Sequence, residues 1–219
     1  KLAPVEGKLE ARFRGPSITP GYWRAPELTR AAFDEEGFYR MGDAMRFVDP
    51  ADPQRGLEFD GRIAEDFKLA TATWVRVGAL RMTCLAAGAQ YIQDVVIAGE
   101  SRDDIAVLVF PNLAACRRLC GSLPPTAAVP ELIGHADVRG WFQTLFDRLG
   151  REATGSSNRI VRALLLEEPP ALDRGEVTDK GSINQRAVLE QRAALVEELY
   201  AAHPSRRVIC TNFKEKHHD

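Results

Sequence analysis

The sequence predicts an α+β protein in two parts, a strand-rich first portion and a second portion with a short central sheet flanked by helices. Three observations carry this. Residues 9–14 alternate, with Leu9, Ala11 and Phe13 on one face and Glu10, Arg12 and Arg14 on the other, the period of a half-buried strand. Residues 92–98 and 105–110 read as two strongly apolar strands separated by the turn Glu100-Ser101-Arg102-Asp103. Val188, Leu189, Leu195, Val196, Leu199 and Tyr200 form a stripe at helical spacing, with Arg186, Glu190, Arg192 and Glu197 mostly off it.

The remaining elements follow in order. The first strand ends in Gly15-Pro16, and Thr19-Pro20-Gly21 adds a second turn signal. A short helix over 27–33 stops around Gly37, and residues 38–40 and 44–48 are expected as strands flanking a turn at Gly42-Asp43. Residues 49–55, with Pro50 and Pro53, form a loop leading to a strand near 57–59. After Gly61 a polar strand pair, 67–70 and 74–77, precedes a helix ending near Gly88. A helix over 113–119, a proline-rich loop over 121–130, a helical stretch over 138–149 and a strand over 160–166 complete the middle of the chain. Ser182-Ile183-Asn184-Gln185 fits a capping box at the start of the last helix. The polar tail from Arg206 to Asp219 is expected to be loose.

Composition narrows the function classes. The 219 residues are 45% hydrophobic and 27% charged, as in an ordinary soluble globular protein. A formal charge of -2 gives no basic excess for nucleic acid. No apolar run reaches the roughly 18 residues needed to span a bilayer. The opening Lys1-Leu2-Ala3-Pro4-Val5-Glu6-Gly7 has no signal-peptide core and no initiator Met, and reads as a cut inside a longer chain. Cys84, Cys116, Cys120 and Cys210 make no C-x-x-C pair and no zinc spacing, so no metal site is expected. They read as small core residues in a reducing cytoplasm, Cys116 and Cys120 on one helix face. His135 and His203 are scattered and His217 and His218 lie in the tail, all expected in a solvated role.

Three motifs go further. Gly15-Pro16-Ser17-Ile18-Thr19-Pro20-Gly21-Tyr22-Trp23, then Phe33-Asp34-Glu35-Glu36-Gly37-Phe38-Tyr39-Arg40-Met41-Gly42-Asp43, closely resembles a run of the adenylate-forming (AMP-binding) acyl/aryl-CoA synthetase superfamily. The family pattern there is G-P-x-x-x-x-G-Y-W, a spacer, and F-x-x-x-G-[WFY]-[FY]-x-T-G-D. Gly61-Arg62-Ile63-Ala64-Glu65-Asp66-Phe67-Lys68 looks like the family's G-R-x-x-D-x-x-K hinge segment, and Thr178-Asp179-Lys180-Gly181-Ser182 stands where its T-x-x-G-K loop falls. Each alone is weak; three in order over most of the chain are specific. Within the superfamily, Asp66-Phe67-Lys68-Leu69, residues 155–160 and residues 178–186 look most like feruloyl-CoA synthetases.

The resemblance implies an ATP-dependent, AMP-forming acid–CoA ligase acting in two steps, acyl-adenylate formation and then displacement of AMP by coenzyme A, on a phenylpropanoid acid such as ferulate. It implies ATP/AMP, coenzyme A, and Mg²⁺ brought by ATP with no ligands in this segment. Residues 1–64 would be the β-rich last piece of the large adenylation domain, and 65–219 the small mobile C-terminal domain, with Glu65 at the hinge. Asp43 matches the carboxylate that accepts hydrogen bonds from the ribose hydroxyls, and Arg62 the guanidinium that reaches the ribose or its phosphate. Alternatively Asp43 is a turn residue, Arg62 a surface ion pair and Glu65 a solvated charge.

The catalytic loop departs from the pattern. The family lysine follows the glycine, whereas here Ser182 follows Gly181 and Lys180 precedes it. Lys180 is the candidate that stabilises the adenylation transition state, the alternative being a solvated loop lysine with Ser182 as a helix cap. Lys68 is a weaker candidate, a structural or nucleotide-adjacent cation. Gly155, Ser156 and Arg159 are candidates for a coenzyme A phosphate site, or else a plain helix-to-strand turn. Ala72 stands where relatives carry glycine beside the pantetheine tunnel and would narrow it. Trp23 and Trp141 are expected in packing.

The family's phosphate loop and acyl pocket, which belong to a large N-terminal domain, match nothing here, so the isolated chain is expected to be inactive. Its expected partners are the small-molecule substrates and that N-terminal domain, with no nucleic acid and no membrane span. Two other readings stand beside this one: a long-chain fatty acid–CoA ligase, and a non-catalytic interaction module in which Ser182 replaces the lysine.

Overall fold

The computed structural model describes residues 1–212. The chain divides into two compact units, Lys1–Asp66 and the residues from Phe67 onward. The first unit is a four-stranded antiparallel sheet in sequential order, β1 (Leu2–Val5), β2 (Lys8–Phe13), β3 (Tyr39–Phe47) and β4 (Leu57–Arg62), with helix α1 (Pro26–Ala32) between β2 and β3. β1 is not evident from the sequence because it carries Pro4; it lies at the sheet edge, where a missing N–H is tolerated.

The turn expected at Gly42-Asp43 is instead a bulge within one continuous strand. Gly42 takes φ +74°, and the register slips between Glu10 and Arg12 on one side of β3 and between Asp43 and Met45 on the other. The turn-forming residues supply local twist without reversing the chain. The Gly42 N–H released there donates to the buried Glu10 carboxylate at 3.1 Å, which also accepts from Arg12 Nε at 2.7 Å.

Little apolar surface is buried in this unit. Ala11 and Ala44 are its buried hydrophobic residues, while Phe13, Tyr22, Trp23, Leu28, Met41, Val48, Leu57 and Phe59 are exposed. Trp23, expected in packing, is 87% exposed: Arg24 turns the chain with φ +52° and lays its guanidinium over the indole at 5.6 Å. Charge ties the unit together instead. Asp34 joins Lys1 at 2.8 Å and Arg12 at 3.1 Å, and the Lys1 ammonium holds its carboxyl far below the usual range.

The second unit opens with a two-stranded hairpin, β5 (Phe67–Lys68) and β6 (Trp74–Val75), and helix α2 (Val77–Gly88). Its main sheet has the order β10-β9-β8-β7, built from β7 (Ile92–Ala98), β8 (Ile105–Pro111), β9 (Ile160–Leu165) and β10 (Val208–Cys210). β8 and β9 are parallel, so the chain crosses over between them through α3 (Leu113–Leu119), α4 (Val129–Gly134) and α5 (Ala136–Glu152). All of β8 is buried, and alternation sorts its side chains into two cores. Ile105, Val107 and Val109 face a cluster that includes Cys84, Cys116, Phe142 and Phe146; Ala106, Leu108 and Phe110 face one that includes Val188 and Leu199.

Four expectations about this unit are corrected. The loop over 121–130 ends early, because Val129-Pro130 opens α4 with proline in its first turn. The last helix is two, α6 (Gln185–Gln191) and α7 (Ala193–Tyr200), broken at Arg192, which turns inward to an ion pair described below. The cap of α6 is Asn184, whose Oδ1 accepts from Ala187 N at 3.2 Å; Ser182 lies two residues earlier, in the hairpin stem, with its hydroxyl bonded to Thr178 Oγ1 at 2.8 Å. The tail is not uniformly loose, since Val208 and Ile209 are buried in β10; residues 213–219, with His217 and His218, lie outside the described residues. Three cysteines are buried, the thiol of Cys84 pushed up to about 12 by burial, whereas Cys210 is exposed at the sheet edge.

Candidate functional site

Lys180 sits at the tip of a tight hairpin. Val177 and Ile183 pair across it, Thr178 N donates to Ser182 O at 2.9 Å, and Gly181 N donates to Thr178 O at 2.8 Å. Gly181 takes φ +79°, a conformation that disfavours any residue with a Cβ. Lys180 is exposed at the turn, while Ser182 lies in the stem with its hydroxyl tied to Thr178. The register of the loop therefore places the lysine at the turn before Gly181 and ties the hydroxyl of the residue after it to Thr178 in the stem.

The stem is anchored by residues that sequence reasoning missed. Glu176 is fully buried; its Oε1 accepts from Arg192 Nε and its Oε2 from Arg192 Nη2, both at 2.8 Å. Oε2 also accepts from Ala171 N at 2.7 Å. Hydrogen bonds from the Arg192 guanidinium hold the Glu176 carboxyl below its ordinary range against the opposing effect of burial. Gln185, 4% exposed, follows the stem: Ile97 N donates to its Oε1 and its Nε2 donates to Val95 O, each at 2.9 Å. No local signal marks Glu176, because its partner is sixteen residues away.

Asp43 and Arg62 are cross-strand partners on β3 and β4. Arg62 Nε lies 3.4 Å from Asp43 Oδ1, an ion pair without hydrogen-bond geometry, and this buried oxygen has no hydrogen-bond partner. The carboxylate thus holds acceptor capacity that the fold does not use, and a cleft lined by Phe13, Met41, Asp43 and Met45 adjoins it. Asp43 is no turn residue, lying instead within β3.

Glu65 ends a short 3-10 turn, Ile63–Glu65. Next to it Asp66 is tied to the first unit, its carboxylate 2.8 Å from the buried Lys8 Nζ, which also donates to Asp60 O at 2.6 Å. Phe67 belongs to the core of the second unit.

The turn at Gly155 is organised by Asn158, whose Oδ1 accepts from Thr154 N at 3.1 Å and Gly155 N at 3.2 Å. Ser157 and Asn158 of this turn line a cleft of about 290 Å³ with Trp74, Arg76, Thr83 and Glu152. Ser156 lies within the same turn and Arg159 leads from it into β9; neither is among the residues lining the cleft. Lys68 Nζ rests 4.9 Å from the Trp74 ring centre, a cation–π contact. Ala72 takes φ +62°, the left-handed region that glycine adopts more readily than alanine. Trp141 packs as expected, 4.3 Å from Tyr91 and 4.9 Å from Phe142 between ring centres.

One constellation resembles a nucleophile relay and is not one. Ser122 Oγ lies 3.3 Å from His135 Nε2, and Asp137 Oδ2 lies 3.5 Å from His135 Nδ1. But Nδ1 accepts the Asp137 N–H as the N-cap of α5, so in the neutral ring Nε2 carries the proton and cannot take one from the serine. His135 is therefore a helix cap, contrary to the solvated role expected of it.

No family model matches the chain. It is 22% identical over 184 residues to the probable acyl-activating enzyme 16, chloroplastic, of Arabidopsis thaliana, covering 81% of this chain and 25% of that protein. It is 26% identical over 172 residues to the mitochondrial malonate–CoA ligase ACSF3 of Bos taurus, covering 78% of this chain and 25% of that one. Among solved structures, the A domain of carboxylic acid reductase from Segniliparus rugosus, in complex with AMP and a carboxylic acid, matches with a TM-score of 0.66 at 22% identity, over 89% of this chain and 28% of that one. The fold is thus that of an adenylation domain, with sheets and flanking helices as expected. The homologues and structural neighbours of the chain are AMP-binding acyl- and aryl-CoA ligase family members, and the chain spans about a quarter of the length of the curated relatives it matches.

Proposed function

We propose that this chain works as the C-terminal part of an ATP-dependent, AMP-forming acid–CoA ligase. The observation that carries the reading is the Asp43–Arg62 pair, a largely buried carboxylate with an unused acceptor oxygen beside a guanidinium. A ribose offers two adjacent hydroxyl donors and a nucleotide phosphate offers an anion, so the pair suits both ends of a nucleoside monophosphate. Lys180 supplies the cation for the chemical step, in which the acid's carboxylate oxygen attacks the α-phosphorus and the bond to pyrophosphate breaks. Negative charge builds on the phosphate oxygens there, and a positioned ammonium lowers that barrier. In the second step the thiol of coenzyme A attacks the acyl carbonyl, AMP leaves, and the thiol proton is released to solvent. Mg²⁺, entering with ATP, supplies further charge neutralisation.

The two steps need different partners at one nucleotide, and we place the pivot between the units in the stretch beginning at Glu65. Asp66 held by Lys8 and Phe67 held in the second core support a short, well-bounded pivot. Gly155, Ser156 and Arg159 are proposed to meet the phosphates of coenzyme A, supported by the cleft that Ser157 and Asn158 of the same turn line. The first unit is proposed to pack against the rest of the large domain, which would cover its exposed apolar side chains. For the same reason the chain alone is proposed to be inactive.

A phenylpropanoid acid such as ferulate is the proposed substrate; its support is the likeness of residues 66–69, 155–160 and 178–186 to feruloyl-CoA synthetases. A cytoplasmic site is proposed from the unpaired cysteines. Among the described residues no helix is long and apolar enough to cross a membrane.

The test is acid-dependent AMP release from ATP, Mg²⁺ and coenzyme A with ferulate, malonate and long-chain fatty acids, in this chain and in the longer polypeptide that carries it. Turnover of ferulate by the longer polypeptide alone is the expected result. A preference for fatty acids would move the substrate, and silence with every acid would favour the interaction module. Lys180→Ala is expected to slow adenylation roughly a hundredfold; an unchanged rate removes Lys180 from the step.

A further inference from the structure

We infer that Glu176 and Arg192 are positioning residues for Lys180, holding its hairpin as a rigid arm on the sheet of the second unit. The inference rests on the catalytic reading of Lys180 given above. A continuous line of contacts runs from the sheet to the lysine. The Arg192 guanidinium lies 5.0 Å over the ring of Phe110 in β8. It grips both oxygens of Glu176, and it donates through Nη1 to Glu168 O at 3.1 Å and through Nη2 to Pro169 O at 2.8 Å. Glu176 adds the Ala171 N–H, and its backbone carbonyl accepts from Asn184 N at 2.9 Å, closing the base of the hairpin. One guanidinium thus fixes the segment before the hairpin, the base of its stem and the junction between α6 and α7.

Two features separate this from ordinary packing. A buried ion pair is a poor source of net stability, because apolar side chains of similar size hold a core as well or better. What a two-oxygen, fork-shaped contact adds is direction. The helix stripe from Val188 to Tyr200 also predicts one uninterrupted helix, yet it breaks at Arg192, where this contact is made. Lys180 is four residues beyond Glu176 on a stem of paired backbone, so any tilt at the base is carried to the tip. A rigid arm leaves the lysine little conformational freedom to lose when the transition state forms.

The test uses Glu176→Gln/Arg192→Gln, which removes both charges together and leaves no unpaired buried ion, with Arg192→Lys as the conservative variant that keeps the charge but loses the fork. In this chain, amide exchange at Thr178, Gly181 and Asn184 is expected to accelerate at least tenfold in the double variant, with β8 and β9 unchanged. In the longer ligase, kcat for adenylation is expected to fall about tenfold with KM for ATP within twofold. Thioester formation from added acyl-adenylate should be unaffected, a split that general destabilisation would not produce; Arg192→Lys should recover part of the rate. Unchanged hairpin exchange, or equal loss in both half-reactions, would overturn the inference. If exchange accelerates but Lys180→Ala leaves adenylation intact, the catalytic reading of Lys180 fails, and the catalytic purpose assigned to the pair falls with it; the exchange data identify which of the two has failed.

Discussion

Ala72 sits in a backbone conformation that costs an L-residue about 1–2 kcal/mol and costs glycine almost nothing. Part of that difference returns as chain entropy in the unfolded state. Ala72→Gly is therefore expected to stabilise the second unit by about 0.5–1 kcal/mol, read as a higher urea midpoint. The family resemblance alone implied glycine at this position; the sign of φ supplies a physical reason for it. Asp43 teaches the reverse lesson. Its neighbour Gly42 reads as a turn from sequence, because positive φ serves turns and bulges alike, and only the pairing of β3 with both neighbours separates them. The burial of Glu176 was not legible at all, since one acid in a polar loop looks like any other until its partner is known.

At the scale of elements, period and punctuation located most strands and helices, and failed where a side chain overrode them. The stripe from Val188 to Tyr200 kept its period across Arg192 although the helix did not, because the guanidinium turns in toward a carboxylate sixteen residues earlier. The capping box failed because the helix begins two residues later, capped by Asn184, which leaves the Ser182 hydroxyl in the hairpin stem beside Thr178. The ion pair at the base of the hairpin also sets a pH response. The Glu176 carboxyl titrates below its ordinary value in the folded state, so it stabilises the fold fully above the unfolded value of about 4.3 and loses that contribution as pH falls through the lower, folded value. Urea midpoints of the second unit are expected to drop between neutral pH and pH 3, and to drop less in the variant lacking both charges. Arg192→Met alone leaves the buried carboxylate unpaired and is expected to cost about 3–5 kcal/mol.

At the scale of the whole molecule the two units differ in what holds them. The second has two apolar cores on either side of one sheet; the first has a sheet, a network of ion pairs and two buried alanines. Eight of the ten exposed large hydrophobics in the described residues lie in the first unit. Its amides are accordingly expected to exchange far faster than those of β7 to β9, as native-state hydrogen exchange would show; equal protection would mean that its ion pairs carry more stability than exposed pairs usually do. The division into a strand-rich part and a helix-covered part was visible in the order of elements. The shortage of core in the first part was not, because alternation shows that one face is apolar without showing what lies on it.

Gln185 has one further consequence. A strand at the rim of a sheet is an open template, and copies of a protein can join through it, backbone to backbone. At Val95 and Ile97 the outward carbonyl and amide of β7 are already taken by a single side-chain amide, which mimics the peptide of a fifth strand. The residue that ends the lysine-bearing segment therefore also blocks growth of this sheet at its β7 edge.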